Sequence, residues 1–204
     1  MLLHARGDTI GQKQLKVKGE YQTMIYVFLA NGFEEVEALT PVDVLRRAGC
    51  EVKTVGVGGK EITGSHKICV KADMEVTDIE IDKAEMVVLP GGIPGTPNLE
   101  QSDAVCAAVE QAAKNGAWVA AICAAPSILG HLGLLKGRRA TSYPSFEKEL
   151  IGAEVTHAPV EVDGTFITGR GAGAALPFAL KLAEVLKGAE KARQTGVAMC
   201  VPGM

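Results

Sequence analysis

The sequence predicts an α/β fold with a mostly parallel central sheet and helices on both faces. Three observations carry that prediction. Short, almost wholly apolar runs alternate with segments of helical spacing, the pattern that parallel sheets require. No internal repeat or long linker interrupts the alternation, so residues 24–204 read as one domain. Aromatic residues make up only 4% of the 204 residues, so the core is chiefly aliphatic, as in strands covered on both faces.

The elements follow in order. Met24–Ala30 is an apolar run closed by Asn31-Gly32 and reads as a central strand with a turn after it. Phe33–Leu39 then places Glu34, Glu35 and Glu37 in the first turns of a helix running to about Ala48, where acids complement the helix dipole. Pro41 lies inside that span and predicts a kink or a late start, and Gly49 is the stop. Glu51–Val57 is the second strand. The patchy stretch Glu61–Asp73 reads as a small hairpin or an excursion from the main sheet. Glu85–Leu89 is a buried strand, with Pro90–Gly95 as the loop at its carboxyl end. Asp103–Asn115 has helical spacing, with Asp103 as its cap and Gly116 as its stop.

Trp118–Ile122 is a further strand, ending abruptly at Cys123, and Pro126 opens a helix to about Leu132. Ala140–Pro144 reads as a short strand leaving into a loop. Glu154–Thr156, Val160–Val162 and Phe166–Thr168 are late strands, the last two joined at Asp163-Gly164. Gly169–Gly173 reads as a flexible loop, and Ala174–Lys187 as an apolar helix with Pro177 in its first turn and Gly188 behind it.

Composition narrows the function. The net charge is −3 with no basic stripe, which excludes nucleic acid as an expected partner. No apolar run is long enough to span a bilayer. Cys50, Cys69, Cys106, Cys123 and Cys200 are dispersed, with no Cys-x-x-Cys pair and no Cys/His metal spacing. That distribution predicts a reducing, cytoplasmic compartment and no metal. His4, His66, His131 and His157 read as surface or core histidines, and the four cysteines other than Cys123 as buried or partly buried thiols. Residues 1–23 are polar and mildly basic, without the apolar core of a secretory signal. Met24 reads as an initiator, so this leader is expected to stand outside the fold. Its deletion is expected to leave melting temperature and activity nearly unchanged; a large loss of either would refute that.

In a parallel sheet, ligands sit outside the carboxyl ends of the strands. Three predicted loops belong there: after Ala30, after Leu89 and at Cys123. Small residues around Cys123 permit a sharp strand-to-helix turn similar to a nucleophile elbow, with Ala121 and Ala125 where that motif has glycines. A thiol at a helix N-terminus is favoured as thiolate; the alternative is an inert buried cysteine at a strand end. Glu37 is the candidate partner, protonated beside the sulfur and donating a hydrogen bond to it. The alternative is that the three acids only favour a helix start. Gly91 and Gly92 can offer backbone N–H groups to an oxyanion, or form an ordinary turn. Tyr143 can hydrogen-bond a substrate, or simply pack at a strand end.

Together these pieces resemble the ThiJ/PfpI superfamily and, within it, the Parkinson-disease-associated deglycase branch. The resemblance runs from Met24 to about Lys191. It rests on Gly32–Glu37, Pro41–Gly49, Val88–Gly92, Ala120–Pro126 and Gly169–Gly173. It implies a flavodoxin-like three-layer sandwich, similar to class I glutamine amidotransferases, and a homodimer with Cys69 near its interface. It also implies a cofactor-free site of Glu37, Cys123 and the Gly92 and Ala124 amides. Two departures matter. Ala124 stands where the peptidase-like branch has histidine, which makes a Cys-His peptidase unexpected. Tyr143 stands where the deglycase branch often has histidine, which leaves the proton work to Glu37. The implied activity is glyoxalase-like or deglycase-like, on small α-oxoaldehydes or their adducts. The alternatives are a redox sensor or chaperone-like stress protein using an oxidisable cysteine and, more weakly, a thiazole- or thiamin-related role.

Overall fold

The computed structural model describes residues 23–204. The expectation about the leader therefore lies, Thr23 apart, outside the described residues. The elements are β1 (Met24–Leu29), α1 (Glu35–Arg47), β2 (Val52–Gly56), β3 (Glu61–Thr63), β4 (Cys69–Lys71), β5 (Met74–Glu75), β6 (Ala84–Leu89), α2 (Gly95–Glu100), α3 (Asp103–Lys114), β7 (Trp118–Ile122), α4 (Pro126–His131), β8 (Arg139–Ala140), β9 (Glu154–Val155), β10 (Val160–Asp163), β11 (Phe166–Gly169), α5 (Ala175–Lys187) and α6 (Ala189–Ala198).

The main sheet has seven strands in the order β10-β11-β7-β6-β1-β2-β5. All neighbours in it are parallel except β10 and β11, which form an antiparallel hairpin. Successive residues of each central strand face opposite sides, so both faces need cover. Ile25, Val27, Leu29, Met86, Val88, Ala120 and Ile122 pack with residues of α1, α5 and α6 on one side. Tyr26, Phe28, Val87, Leu89, Val119 and Ala121 pack with α3 and α4 on the other. This is the three-layer arrangement that the apolar runs predict. The expected excursion is the β3–β4 hairpin, which pairs outside the main sheet. Among the described residues, no helix is long and apolar enough to cross a membrane.

Several details differ from the sequence expectations. Helix α1 starts at Glu35 and carries Pro41 inside it, so there is no late start. Pro41 has no N–H to give to the Glu37 carbonyl four residues earlier, and packing of Ala38, Val42, Val44 and Leu45 sustains the helix instead. The N-cap of α3 is Ser102, whose hydroxyl accepts from the Val105 N–H; Asp103 is the next residue, in the first turn. Strand β8 pairs with β9 in a separate two-stranded sheet. Gly169 is the last residue of β11, and the stretch after it closes in a 3-10 turn at Ala172–Ala174. Cys69 and Cys200 are exposed. Helix α6 was not expected, because its sequence has no apolar stripe; only Ala192, Thr195 and Gly196 are buried in it.

Candidate active site

Strands β7, β6 and β1 are neighbours, so the segments that follow them meet at one sheet edge. Those segments hold Cys123, Gly91-Gly92 and Glu37.

Cys123 follows β7 directly and takes φ +64°, the left-handed conformation that a non-glycine residue adopts at a cost of about 1–3 kcal/mol. Both of its backbone groups are anchored. Its N–H donates to the Gly169 carbonyl at 2.9 Å, and its carbonyl accepts from the Tyr143 N–H at 2.8 Å. The small neighbours Ala121, Ala124 and Ala125, all buried, leave room for this bend. The side chain stays partly exposed. Amide N–H groups of Ala124 and Gly92 are directed at the sulfur.

Glu37, in the first turn of α1, points inward and is 0% exposed. Its Oε2 accepts from the Gly91 N–H at 3.0 Å. Its Oε1 is buried with no conventional hydrogen-bond partner, and the carboxyl interacts with the Cys123 thiol. Burial pushes this carboxyl up to about 7, opposed by the Cys123 and Gly91 contacts and reinforced by the charge of Glu34. The thiol is pushed up to about 12, by burial first and then by the Glu37 carboxylate, against the Ala124 and Gly92 amides. This direction is opposite to the thiolate that a helix N-terminus predicts. Helix α4 is only six residues long and begins three residues after Cys123, so little dipole acts on the sulfur, and a buried carboxylate beside it favours the neutral thiol. A carboxyl titrating near neutrality next to a thiol is an acid–base pair, with the carboxylate placed to take the thiol proton.

Gly91 separates the two groups. A Cβ built there would lie 2.6 Å from Glu37 Oε2, 2.7 Å from Cys123 Cβ and 3.1 Å from Ala124 N. Its carbonyl also accepts from the Glu34 N–H at 2.9 Å. Gly91→Ala is expected to force the carboxyl and the thiol apart and destabilise the fold by about 2 kcal/mol, checked by urea unfolding beside an activity assay. Gly92 takes φ +99° against the start of α1, where a Cβ would lie 2.4 Å from Glu34 N.

The structure thus brings Glu37, Gly91, Gly92, Cys123 and Ala124 together. Tyr143 joins through its backbone bond to Cys123, with its side chain half exposed. Sequence reasoning missed a second cluster. The buried Glu35 accepts from the His66 N–H at 2.8 Å and lies 3.0 Å from His66 Nδ1, while Ser65 Oγ donates to Glu34 at 3.1 Å. These contacts pin the β3–β4 turn onto the start of α1. Glu34, Glu35 and His66 are also the group of potential metal donors, among the described residues, that lies within 4.8 Å. The residues are about thirty apart in sequence, so no local spacing announces them. His66, one of the histidines expected as surface or core residues, is the exposed end of this cluster.

A sharp strand-to-helix bend carrying a cysteine, at the carboxyl edge of a parallel sheet and facing a buried glutamate, defines an α/β protein of the cysteine-elbow kind. Residues 23–185 match the model of the DJ-1/PfpI family, and the chain belongs to that family. It is 39% identical over 178 residues to the protein dj-1beta of Drosophila melanogaster, covering 86% of this chain and 95% of that one. It is 34% identical over 169 residues to a protein named as a deglycase from Pyrococcus abyssi, covering 80% and 99%. Oxidized DJ-1 of Toxoplasma gondii superposes with a TM-score of 0.85 at 33% identity, over 88% of this chain and 99% of that one. The fold is the flavodoxin-like, class I glutamine amidotransferase-like sandwich.

Proposed function

We propose that the protein is a cofactor-free, cysteine-dependent enzyme of glyoxalase or deglycase type, acting on small α-oxoaldehydes or their adducts. The observation that carries this reading is the buried Glu37 carboxyl, raised to about 7, against the partly exposed Cys123 thiol. The deglycase name of the Pyrococcus abyssi relative supports the same chemistry.

In the proposed reaction the sulfur of Cys123 bonds to the aldehyde carbon while Glu37 takes the thiol proton and returns it to the aldehyde oxygen, giving a hemithioacetal. Glu37 then removes the hydrogen on that carbon, and the electron pair moves toward the neighbouring ketone as an enediolate. A proton passes between the two adjacent oxygens, and Glu37 delivers its proton to the second carbon. The result is a 2-hydroxy thioester. Water attacks it, the carbon–sulfur bond breaks, and the 2-hydroxy acid leaves as the thiol is restored. The Gly92 and Ala124 amides, already directed at the sulfur, are positioned to steady the negative oxygens. One carboxyl carries the proton between the carbons, so the scheme calls for no cofactor.

Lactate formation from methylglyoxal by the purified full chain, without added thiol, tests this reading. Turnover is expected; a rate at the buffer background overturns it.

A second reading, a redox sensor, is favoured by those same two amides, whose N–H groups would donate hydrogen bonds to oxygens added to the sulfur. Two equivalents of peroxide would convert the thiol to a sulfinic acid with release of two waters. Selective two-oxygen addition at Cys123, without methylglyoxal turnover, would favour the sensor.

Homodimerisation is part of the proposal. Val36 (50% exposed) and Ile68 (54%) flank the Glu35 contact and leave apolar surface beside the site. Sedimentation equilibrium at micromolar concentration is expected to give twice the chain mass.

A further inference from the structure

The side chains that pin the β3–β4 turn onto α1 are also a donor set outside the Glu37–Cys123 pair. One donor atom each from Glu34, Glu35 and His66 lies within 4.8 Å of the other two. The set joins an imidazole nitrogen to carboxylate oxygens, a mixture that suits first-row divalent cations. Its edges have the right length. Around a tetrahedral Zn²⁺, with bonds of about 2.0–2.2 Å, ligand atoms stand about 3.4 Å apart. His66 Nδ1 lies 3.5 Å from Glu34 Oε1 and 3.0 Å from Glu35 Oε2. The expectation of no metal rested on local spacing, which these residues lack.

A count of protons points the same way, independently of the spacing. Glu34 Oε1, Glu34 Oε2 and Glu35 Oε2 all face the group. Within the protein, two protons serve them: the hydroxyl proton of Ser65, whose Oγ stands 3.1 Å from Glu34 Oε2 and 3.3 Å from Glu35 Oε2, and one on His66 Nδ1. Lone pairs therefore outnumber protons. Two carboxylates beside a neutral imidazole leave the group doubly negative, although Glu35 is only 6% exposed. Buried charge of this kind calls for a counter-charge, and a divalent cation balances it where one shared proton does not.

The donors are also held in place from outside. Glu35 Oε1 accepts from the His66 N–H at 2.8 Å and from the Ile68 N–H at 3.4 Å, which leaves Oε2 aimed at the imidazole. A Cβ at Gly64 would overlap the Glu35 carboxyl, so bare backbone seats it. The Ser65 N–H donates to the Phe33 carbonyl at 2.8 Å. Outer contacts like these orient metal ligands and tune affinity. On the solvent side the His66 side chain is 68% exposed, which gives an ion its entry path and leaves room for water in the shell.

We propose that Glu34, Glu35 and His66 form a binding site for a divalent first-row transition cation, of which Zn²⁺ fits the spacing, with water completing the coordination. The bound ion fastens the β3–β4 turn to the start of α1.

The test follows ¹H–¹⁵N NMR spectra of the full chain as Mn²⁺ is added at neutral pH. Mn²⁺ is paramagnetic and favours oxygen and nitrogen over sulfur, so it reports on this site without engaging the exposed Cys69 and Cys200. Saturable loss of the Ser65, His66 and Ile68 amide signals is expected, before those of β10 at the far edge of the main sheet. Zn²⁺ added afterwards is expected to restore them, since it binds such donors more tightly than Mn²⁺. His66→Ala and Glu34→Gln are each expected to weaken Mn²⁺ binding about tenfold or more. The spectra of the two variants report their folding directly, and the exposed His66 side chain is removed without opening the core. No saturable loss at residues 64–68, a loss that neither variant weakens, or a failure of Zn²⁺ to displace Mn²⁺ overturns the site. Turnover enters none of these readouts, so the site stands or falls apart from the reaction proposed above.

Discussion

Cys123→Ala is expected to reduce lactate formation from methylglyoxal to the uncatalysed background, a fall of about 10³-fold or more. The carbon–sulfur bond has no other source at this edge of the sheet, because Cys50, Cys69, Cys106 and Cys200 are carried on other segments. A second readout separates chemistry from folding. The thiol contact holds the Glu37 carboxyl down, so removing it is expected to move that titration above about 7, followed by ¹³C NMR of labelled glutamate. Residue 123 has φ +64°, so Cys123→Gly is expected to be more stable than Cys123→Ala by about 1 kcal/mol, and equally inactive. Turnover surviving in either variant would place the chemistry elsewhere.

Glu37→Gln is expected to lower kcat/KM by about 10²–10⁴-fold while making the protein more stable at alkaline pH. The sign follows from the direction of the shift. Folding favours the protonated carboxyl, since its value rises from an ordinary one near 4.3 to about 7. The stability it contributes is fully present below pH ~4.3 and is lost as pH rises through about 7. Glutamine does not titrate. The two proteins are therefore expected to be similarly stable at pH 4, and the variant more stable by about 3 kcal/mol at pH 8, measured by urea unfolding. In the wild type, kcat/KM is expected to rise with pH through about 7 as the base ionises, and that limb disappears in the variant. A variant that keeps the limb, or that is less stable at pH 8, contradicts the assignment of Glu37 as the buried base.

The layers of the fold were readable because strands covered on both faces leave unbroken apolar runs, as in Met24–Ala30 and Glu85–Leu89. Cys123 was readable because a strand ending in small residues and a proline has few other local solutions. Glu37 was half readable. Its place one turn beyond a strand end suggested the sheet edge, but an acidic helix start accounts for the same letters, and only burial separates the two. The direction in which the sulfur's titration is shifted was not readable. It depends on how much water reaches Cys123 and on a charge more than eighty residues away, neither of which has a local pattern. Helix α6 escaped for a simpler reason: Ala189–Ala198 buries little and shows no stripe. Glu147, Arg170 and His157 meet only through the packing of three loops, so their spacing carried no signal.

Fastening residue 123 at both its amide and its carbonyl has a consequence for durability. The backbone of Cys123 is riveted to the rest of the chain at two points, and one of them lies on a strand of the main sheet. It cannot swing aside, or drift into a misaligned pose, unless that seam parts. Displacing the backbone of residue 123 is thereby tied to local opening of the fold around it, not to the motion of a free loop.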